Sequence, residues 1–178
     1  MSDQYTIYFR EEQRFTQWWI WLAIGLSSLS TWYAFFAVIL DDDSADDTLT
    51  VKLLLWIFGV VFGIGLPIFV YSIRLIVEVR DDHLSVRFFP MLTRRIPYTD
   101  IKRYEARQYS PLREYGGWGI KGSTGFGQYR GKAYNVRGNW GVQFEMQDGE
   151  NLMIGSQQAD DLVQALNICS KLTSHAAA

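Results

Sequence analysis

Two stretches of this 178-residue chain carry no charged side chain: 23 residues from Trp18 to Leu40, and 21 from Leu53 to Ile73. At about 1.5 Å of rise per residue, either would cross the roughly 30 Å hydrocarbon core of a bilayer as a helix. No water reaches the backbone there, so the helix is the conformation that satisfies its polar groups. Whole-chain averages conceal this, because a 48% hydrophobic content would also suit a soluble protein. A cleaved signal peptide is the rival reading of the first run. Such a peptide has a basic start and an apolar core of about 7–15 residues before a small-residue cleavage site. Here the preceding charges are mixed (Arg10, Glu11, Glu12, Arg14), the run is longer, and Val38-Ile39-Leu40 leads into aspartates. A retained anchor follows.

The expected organisation has three parts. Residues 1–17 form an interfacial lead-in, with Tyr5, Tyr8, Phe9 and Phe15 among charges and Trp18, Trp19 and Trp21 at the headgroup level. Residues 18–73 form a transmembrane hairpin, with helices at about 18–40 and 53–73 joined by the acidic loop 41–50. Residues 74–175 form a β-rich domain. Orientation follows lysine and arginine near the membrane ends, whereas acidic residues count for little. Lys52 stands alone beside the loop, whereas Arg10, Arg14, Arg74, Arg80 and Arg87 flank the outer ends of the hairpin. Both termini are therefore expected in the cytoplasm, with the chain a multi-pass protein of the cell (inner or plasma) membrane. The single cysteine, Cys169, excludes an internal disulfide and agrees with a reducing compartment.

Helices in lipid gain little from hydrophobicity, so small residues that permit close approach decide their packing. Gly59 and Gly63 form a GxxxG pair in the second run, and Ala23, Ser27, Ser30 and Ala34 recur at helical spacing in the first. The two stripes are expected to face each other, the alternative being pairing of the glycines between molecules.

After Ile73 the apolar period changes to two. Leu75, Val77 and Val79 precede a turn at Asp81-Asp82, and Leu84, Val86 and Phe88 follow it, the pattern of a half-buried hairpin. Short strands are expected near 94–98 and 101–109, then a glycine-rich loop over 116–131. Val142, Phe144 and Met146 alternate into the turn at Asp148-Gly149, and Leu152-Met153-Ile154 returns. Ser156 can cap a helix over about 157–172 whose core face is Leu162, Ala165, Leu166 and Cys169. The fold class is α+β: a membrane hairpin plus a small antiparallel barrel or sandwich closed by a C-terminal helix.

Several chemical readings fail on spacing. Gly117-Trp118-Gly119-Ile120-Lys121-Gly122 spells the dinucleotide fingerprint, but no helix can begin there and no acid follows about twenty residues on. Gly131-Lys132-Ala133 lacks the hydroxyl of a phosphate loop. His83, His175 and Cys169 are too few and too scattered for a zinc site or an activated nucleophile. No catalytic, cofactor or metal residue is assigned, and no nucleic acid or small-molecule substrate is inferred. The basic residues Arg94, Arg95, Lys102, Arg103 and Arg107 form a candidate lipid-facing set, juxtamembrane cations being attracted to anionic headgroups. A solvated face with local ion pairs is the other reading of that set. Arg113, Tyr115 and Trp118 form a candidate interaction surface, since arginine and large aromatics anchor interfaces.

Glu12-Gln13-Arg14-Phe15, Phe62-Gly63-Ile64-Gly65-Leu66-Pro67, Arg87-Phe88-Phe89-Pro90, the string Tyr109 to Ile120, Ala133 to Val136 and Ile154-Gly155-Ser156 carry a resemblance that runs over nearly the whole chain. The sequence resembles an uncharacterised family of small prokaryotic membrane proteins in which a two-helix hairpin precedes a bacterial pleckstrin-homology-like domain. The segment Gly122–Lys132 departs from it in length. The resemblance implies fold and membrane placement and supplies no activity, ligand or catalytic residue.

The functional expectation is therefore non-enzymatic: a membrane-anchored scaffold that binds a protein partner or assembles with itself. Anionic-lipid sensing and a subunit of an oligomeric membrane assembly are the alternatives. Neither span holds an ionisable residue, which speaks against transport.

Overall fold

The computed structural model describes residues 6–40, 49–122 and 131–176. The aspartates of the connecting loop, most of Gly122–Lys132 and the His175 side chain lie outside the described parts. The chain separates into two compact units: residues Phe15–Ile73, and Met1–Arg14 together with Arg74–Ala178.

The hairpin unit begins with α1, Trp18–Leu40. Its return limb is α2, Leu49–Val60, and α3, Leu66–Ser72, joined by one π-helical turn at Val61–Gly65. The cause of that turn is Pro67. A helical proline has no N–H, and its ring crowds the carbonyl four residues back, here that of Gly63. The Leu66 N–H bonds five residues back, to the Val61 carbonyl, which carries the ladder past the proline. The windows Trp18–Val38 and Thr50–Ser72 are long and apolar enough to cross a membrane, and only 6% of each is buried within the molecule.

The helices meet through a different face from the expected one. A Cβ added to Gly63 would lie 2.6 Å from Trp32 Nε1, and one on Gly59 would touch Phe35 and Trp32 at 4.0 Å. Phe35 is buried and packs edge-on against Trp32 and Trp56. Ala23, Ser30 and Ala34 are exposed and Ser27 is half-buried. The glycines thus admit large rings rather than a facing row of small residues. Large-into-small packing fills the space between two helices as effectively as small against small.

In the other unit, β1 (Ile7–Arg14), β2 (Arg74–Arg80), β3 (His83–Phe89) and β4 (Leu92–Pro97) form one sheet in that order, all antiparallel. Ile7–Arg14 is therefore a strand, which corrects its reading as part of an interfacial lead-in. Its alternation was masked by inward-facing Glu11 and Gln13, both buried. The hairpin is thus an insertion between the first two strands. The second sheet has the order β5-β8-β9-β7-β6, with β5 at Ile101–Gln108, β6 at Gly119–Lys121, β7 at Lys132–Asn135, β8 at Trp140–Met146 and β9 at Asn151–Gly155. β7 runs parallel to β9, an exception to the expected antiparallel pattern. The two sheets do not close into a barrel. A short helix α4, Pro111–Tyr115, precedes β6, and α5, Ala159–Ala176, ends the unit.

Leu75, Val77, Val79, Leu84, Val86, Phe88 and Ile96 of the first sheet and Val142, Phe144, Leu152 and Ile154 of the second are fully or almost fully buried. So are Leu162, Leu166 and Cys169 of α5. Each such aliphatic or aromatic side chain stabilises the fold by about 1.5–3 kcal/mol relative to exposure. Burial also pushes the Cys169 thiol above its ordinary pKa, which leaves it a core residue rather than a nucleophile.

Candidate interaction surfaces

α4 and its flanks lie on the outer face of the second sheet. Tyr109, Tyr115, Ala133 and Met153 form a buried cluster there, separate in character from the main core. Small residues make the space: a Cβ on Gly155 would sit 3.1 Å from the Tyr109 hydroxyl and 2.9 Å from Asn135 Cβ. Tyr109 and Tyr115 meet edge to face, with ring centroids 5.9 Å apart. Burial pushes the Tyr109 pKa up to about 12.

Arg107 is the centre of this layer. One guanidinium nitrogen donates to Glu114 Oε2 at 2.8 Å, to Gln143 Oε1 at 3.0 Å and to the Tyr115 hydroxyl at 3.4 Å. The Tyr115 hydroxyl itself donates to Gln143 Oε1 at 3.2 Å. Glu114 Oε1 accepts the Ser110 N–H at 2.7 Å, which ties the start of α4 to the same carboxylate. The helix stops at Gly116, whose φ of 72° is a left-handed conformation that glycine adopts without a Cβ clash. The Gly116 and Gly117 N–H groups bond back to the carbonyls of Leu112 and Pro111. Gly117–Gly122 then enters a strand, with the Gly119 N–H donating to Asn135 Oδ1 at 2.9 Å, which leaves no helix N-terminus for a phosphate.

The residues singled out from sequence therefore separate. Tyr115 is buried scaffolding. Arg113 is exposed, as is its neighbour Leu112 at 64%, and Trp118 is half-buried with its indole N–H donating to the Gly138 carbonyl at 3.4 Å. Leu112 was missed because an apolar residue in a glycine-rich stretch reads as core.

The candidate lipid-facing set does not form one face. Arg94 pairs with Glu150 at 3.1 Å, Lys102 with Glu145 at 2.5 Å, Arg103 with Glu105 at 2.8 Å and Arg107 with Glu114. The Arg94 and Lys102 partners each hold a glutamate below the ordinary carboxylate range, Glu150 and Glu145 respectively. Arg95 is exposed and makes no ion pair among the described residues. Alternation puts it on the opposite face of β4 from Arg94.

A different basic surface exists on the outer face of the first sheet. Directly opposed residues of antiparallel strands share a face. The register pairs Arg10 with Glu78, Glu12 with Ile76, Arg14 with Arg74, Arg74 with Phe89, Ile76 with Arg87 and Ser85 with Arg95. Arg10, Arg14, Arg74, Arg80, Arg87 and Arg95 therefore share one face with two acids, Glu12 and Glu78. Glu12 contacts Arg14 at 2.9 Å and Arg74 at 3.4 Å, and Glu78 contacts Arg80 at 2.6 Å and Arg10 at 3.5 Å. The hydrogen bond from Arg14 lowers the Glu12 pKa. In sequence these cations are dispersed over four strands, and only the strand pairings assemble them.

Among the described residues no three His, Cys, Asp or Glu side chains converge as metal ligands. Neither the comparison with curated proteins nor that with solved structures gives a match. Residues 3–174 match the description "Family of unknown function (DUF6141)". With almost the whole chain covered, and two apolar helices set into a two-sheet α+β unit, this protein belongs to that family.

Proposed function

We propose that the chain is a multi-pass protein of the cell membrane with both termini in the cytoplasm, a non-enzymatic scaffold whose β unit binds a protein partner or a second copy. The observation that carries the membrane reading is the direction of the apolar side chains in the hairpin. Leu22, Leu26, Leu29, Leu53, Leu54, Ile57 and Ile68 are all exposed. Water would not tolerate an apolar surface of that extent, whereas lipid would cover it. The arginines at the outer ends of the hairpin, against Lys52 alone beside its loop, support the orientation. A pleckstrin-homology-like reading of the β unit draws support from two sheets of mainly antiparallel strands followed by one amphipathic helix. It has to accommodate the hairpin inserted after the first strand.

The interaction surface is Leu112 and Arg113 on α4 with Trp118 just beyond it, and Tyr115 and Glu114 tie that helix to the sheet through Gln143 and Arg107. A preorganised patch loses little entropy on binding. Native mass spectrometry and partner capture with the full chain in mild detergent test this, comparing wild type with Leu112→Ser, Arg113→Ala and Trp118→Ala. Normal melting with lost self-association or lost partners supports the surface. Unchanged assembly and an unchanged set of partners in all three variants would reject it. Labelling of a Ser44→Cys variant only from the cytoplasmic side would reject the orientation.

A further inference from the structure

We propose that one end of the first sheet touches lipid directly: the turn Phe89–Pro90–Met91 enters the membrane interface, and Arg14, Arg74 and Arg87 gather anionic headgroups around it. This inference rests on the membrane reading of the hairpin.

Chain connectivity fixes where this end can be. Arg14 closes β1 four residues before Trp18, and Arg74 opens β2 two residues after Ser72. At about 3.3–3.6 Å per extended residue, both arginines stay within roughly 14 Å of the ends of the spans along the chain. Phe89 is the register partner of Arg74, and the Arg74 guanidinium lies over its ring, 5.6 Å from the centroid. Opposed residues in a sheet are about 5 Å apart. Register thus holds the turn beside the start of β2, the stretch that follows the hairpin directly in sequence.

The chemistry of the turn matches an interface. Phe89 is 44% and Met91 52% exposed at the tip of an otherwise well-buried hairpin. Arg87 is exposed and makes no ion pair among the described residues, while Arg14 and Arg74 share the single carboxylate of Glu12. Among the described residues, Glu12 is the carboxylate that faces these guanidinium groups, which makes this end basic. Cations beside an exposed phenyl and thioether suit the headgroup level of an anionic leaflet, where apolar groups sink and arginines stay at the surface. The acidic turn Asp81-Asp82 lies at the opposite end of the same sheet, so the charge is polarised along the strands.

Site-directed spin labelling of the full chain in lipid nanodiscs tests the proposal, with buried Cys169 as the unlabelled background. Labels are placed singly at Met91→Cys, Asp81→Cys and Leu29→Cys, in phosphatidylcholine alone and mixed with phosphatidylglycerol. In the anionic discs the Met91 label is expected to collide with oxygen and be shielded from an aqueous nickel chelate, whereas the Asp81 label meets the chelate freely. Arg87→Glu is expected to raise chelate access at Met91 in the anionic discs only, and equal access in both lipids would remove the role assigned to the arginines. Free chelate access at Met91, with Leu29 in lipid, overturns the lipid contact while leaving the spans intact. Chelate access at Leu29 overturns the membrane reading itself. Shielding of Met91 from both probes would mean cover by protein and would equally overturn lipid contact.

Discussion

Glu11, in the strand before the hairpin, accepts a hydrogen bond from Ser156 Oγ at 2.5 Å, across 145 residues of sequence. Its other oxygen accepts the Gln157 N–H at 2.8 Å, and Ser156 Oγ in turn accepts the Gln158 N–H at 3.0 Å. A carboxylate from the first strand thus caps the approach to the last helix, where backbone N–H groups and the helix dipole favour negative charge. Two residues along the same strand, Gln13 Nε2 donates to the Gly155 carbonyl at 2.8 Å. The β unit is closed by contacts that span the inserted hairpin.

Removing this cap is expected to be costly despite the surface-like identity of the residue. Glu11→Ala strands the buried Ser156 hydroxyl and removes the acceptor of the part-buried Gln157 N–H, with an expected loss of about 1–3 kcal/mol. Glu12→Ala, one residue on, removes an exposed ion pair and is expected to change stability by less than about 1 kcal/mol. Pulse proteolysis of the full chain in detergent compares the two. Equal effects would contradict the inward orientation of Glu11.

The insertion can be excised. Arg14 and Arg74 are the last register pair of β1 and β2, so a two-residue Asn-Gly turn in place of residues 15–73 joins them as an ordinary hairpin. That shortened chain is expected to be soluble and folded. A chain beginning at Arg74 leaves the edge of β2 unpaired, and exposed edges of this kind aggregate. Size-exclusion chromatography and circular dichroism of both decide. A soluble, folded chain from Arg74 onward would show that β1 is dispensable.

Much of this fold was legible because burial imposes period. Leu75 to Phe88 and Val142 to Ile154 alternate cleanly, and the charge-free runs fix the long helices within a few residues. β1 was not legible, because Glu11 and Gln13 take inward positions where alternation calls for apolar residues, and their partners are 142 or more positions away. The surfaces were harder still. Tyr115 reads as an interface aromatic until Gln143 and Arg107 are seen to hold its hydroxyl. The arginines of the first sheet become one face only through strand register.

In the hairpin, Trp32 and Gly63 are expected to be coupled. Gly63→Ala drives a methyl group to within 2.6 Å of the Trp32 ring, an overpacking that typically costs about 1–3 kcal/mol. Trp32→Ala on the same chain relieves the clash, so the double variant should be more stable than additivity allows. Ala34→Leu, on an exposed position, should be tolerated. Thermal unfolding in detergent measures the cycle, and strict additivity would mean that the two residues do not touch.

Alkaline stability depends on buried phenols. Tyr109, pushed up to about 12 by burial, stays neutral in the folded chain at a pH where an exposed tyrosine ionises. Below the ordinary value of about 10 it contributes no pH dependence, since both states hold the proton. Between about 10 and 12 the unfolded state binds fewer protons, so stability falls as pH rises. Burial raises Tyr98 as well, in the same sense. Tyr109→Phe is expected to flatten the decline between pH 10 and 12, measured by denaturant unfolding. An unchanged slope would place the phenol in contact with solvent.

The two neighbours Gln143 and Phe144 set the last expectation, because they point to opposite faces of β8. Phe144 is fully buried, and Phe144→Ala should cost about 3–5 kcal/mol through lost burial and a cavity. Period alone makes Gln143 the solvent-facing position, one whose loss should be silent. The α4 layer changes that, because Gln143 is 9% exposed and its Oε1 is the shared acceptor for Arg107 and the Tyr115 hydroxyl. Gln143→Ala leaves the phenol without this acceptor and should cost about 1–3 kcal/mol. Gln143→Glu offers Arg107 a second carboxylate and should retain the layer better than alanine does. Hydrogen exchange across 109–118 separates the causes. Gln143→Ala should loosen that segment specifically, whereas Phe144→Ala should raise exchange throughout the unit. Protection of 109–118 that is unaffected by Gln143→Ala would mean that α4 is held by its apolar contacts alone.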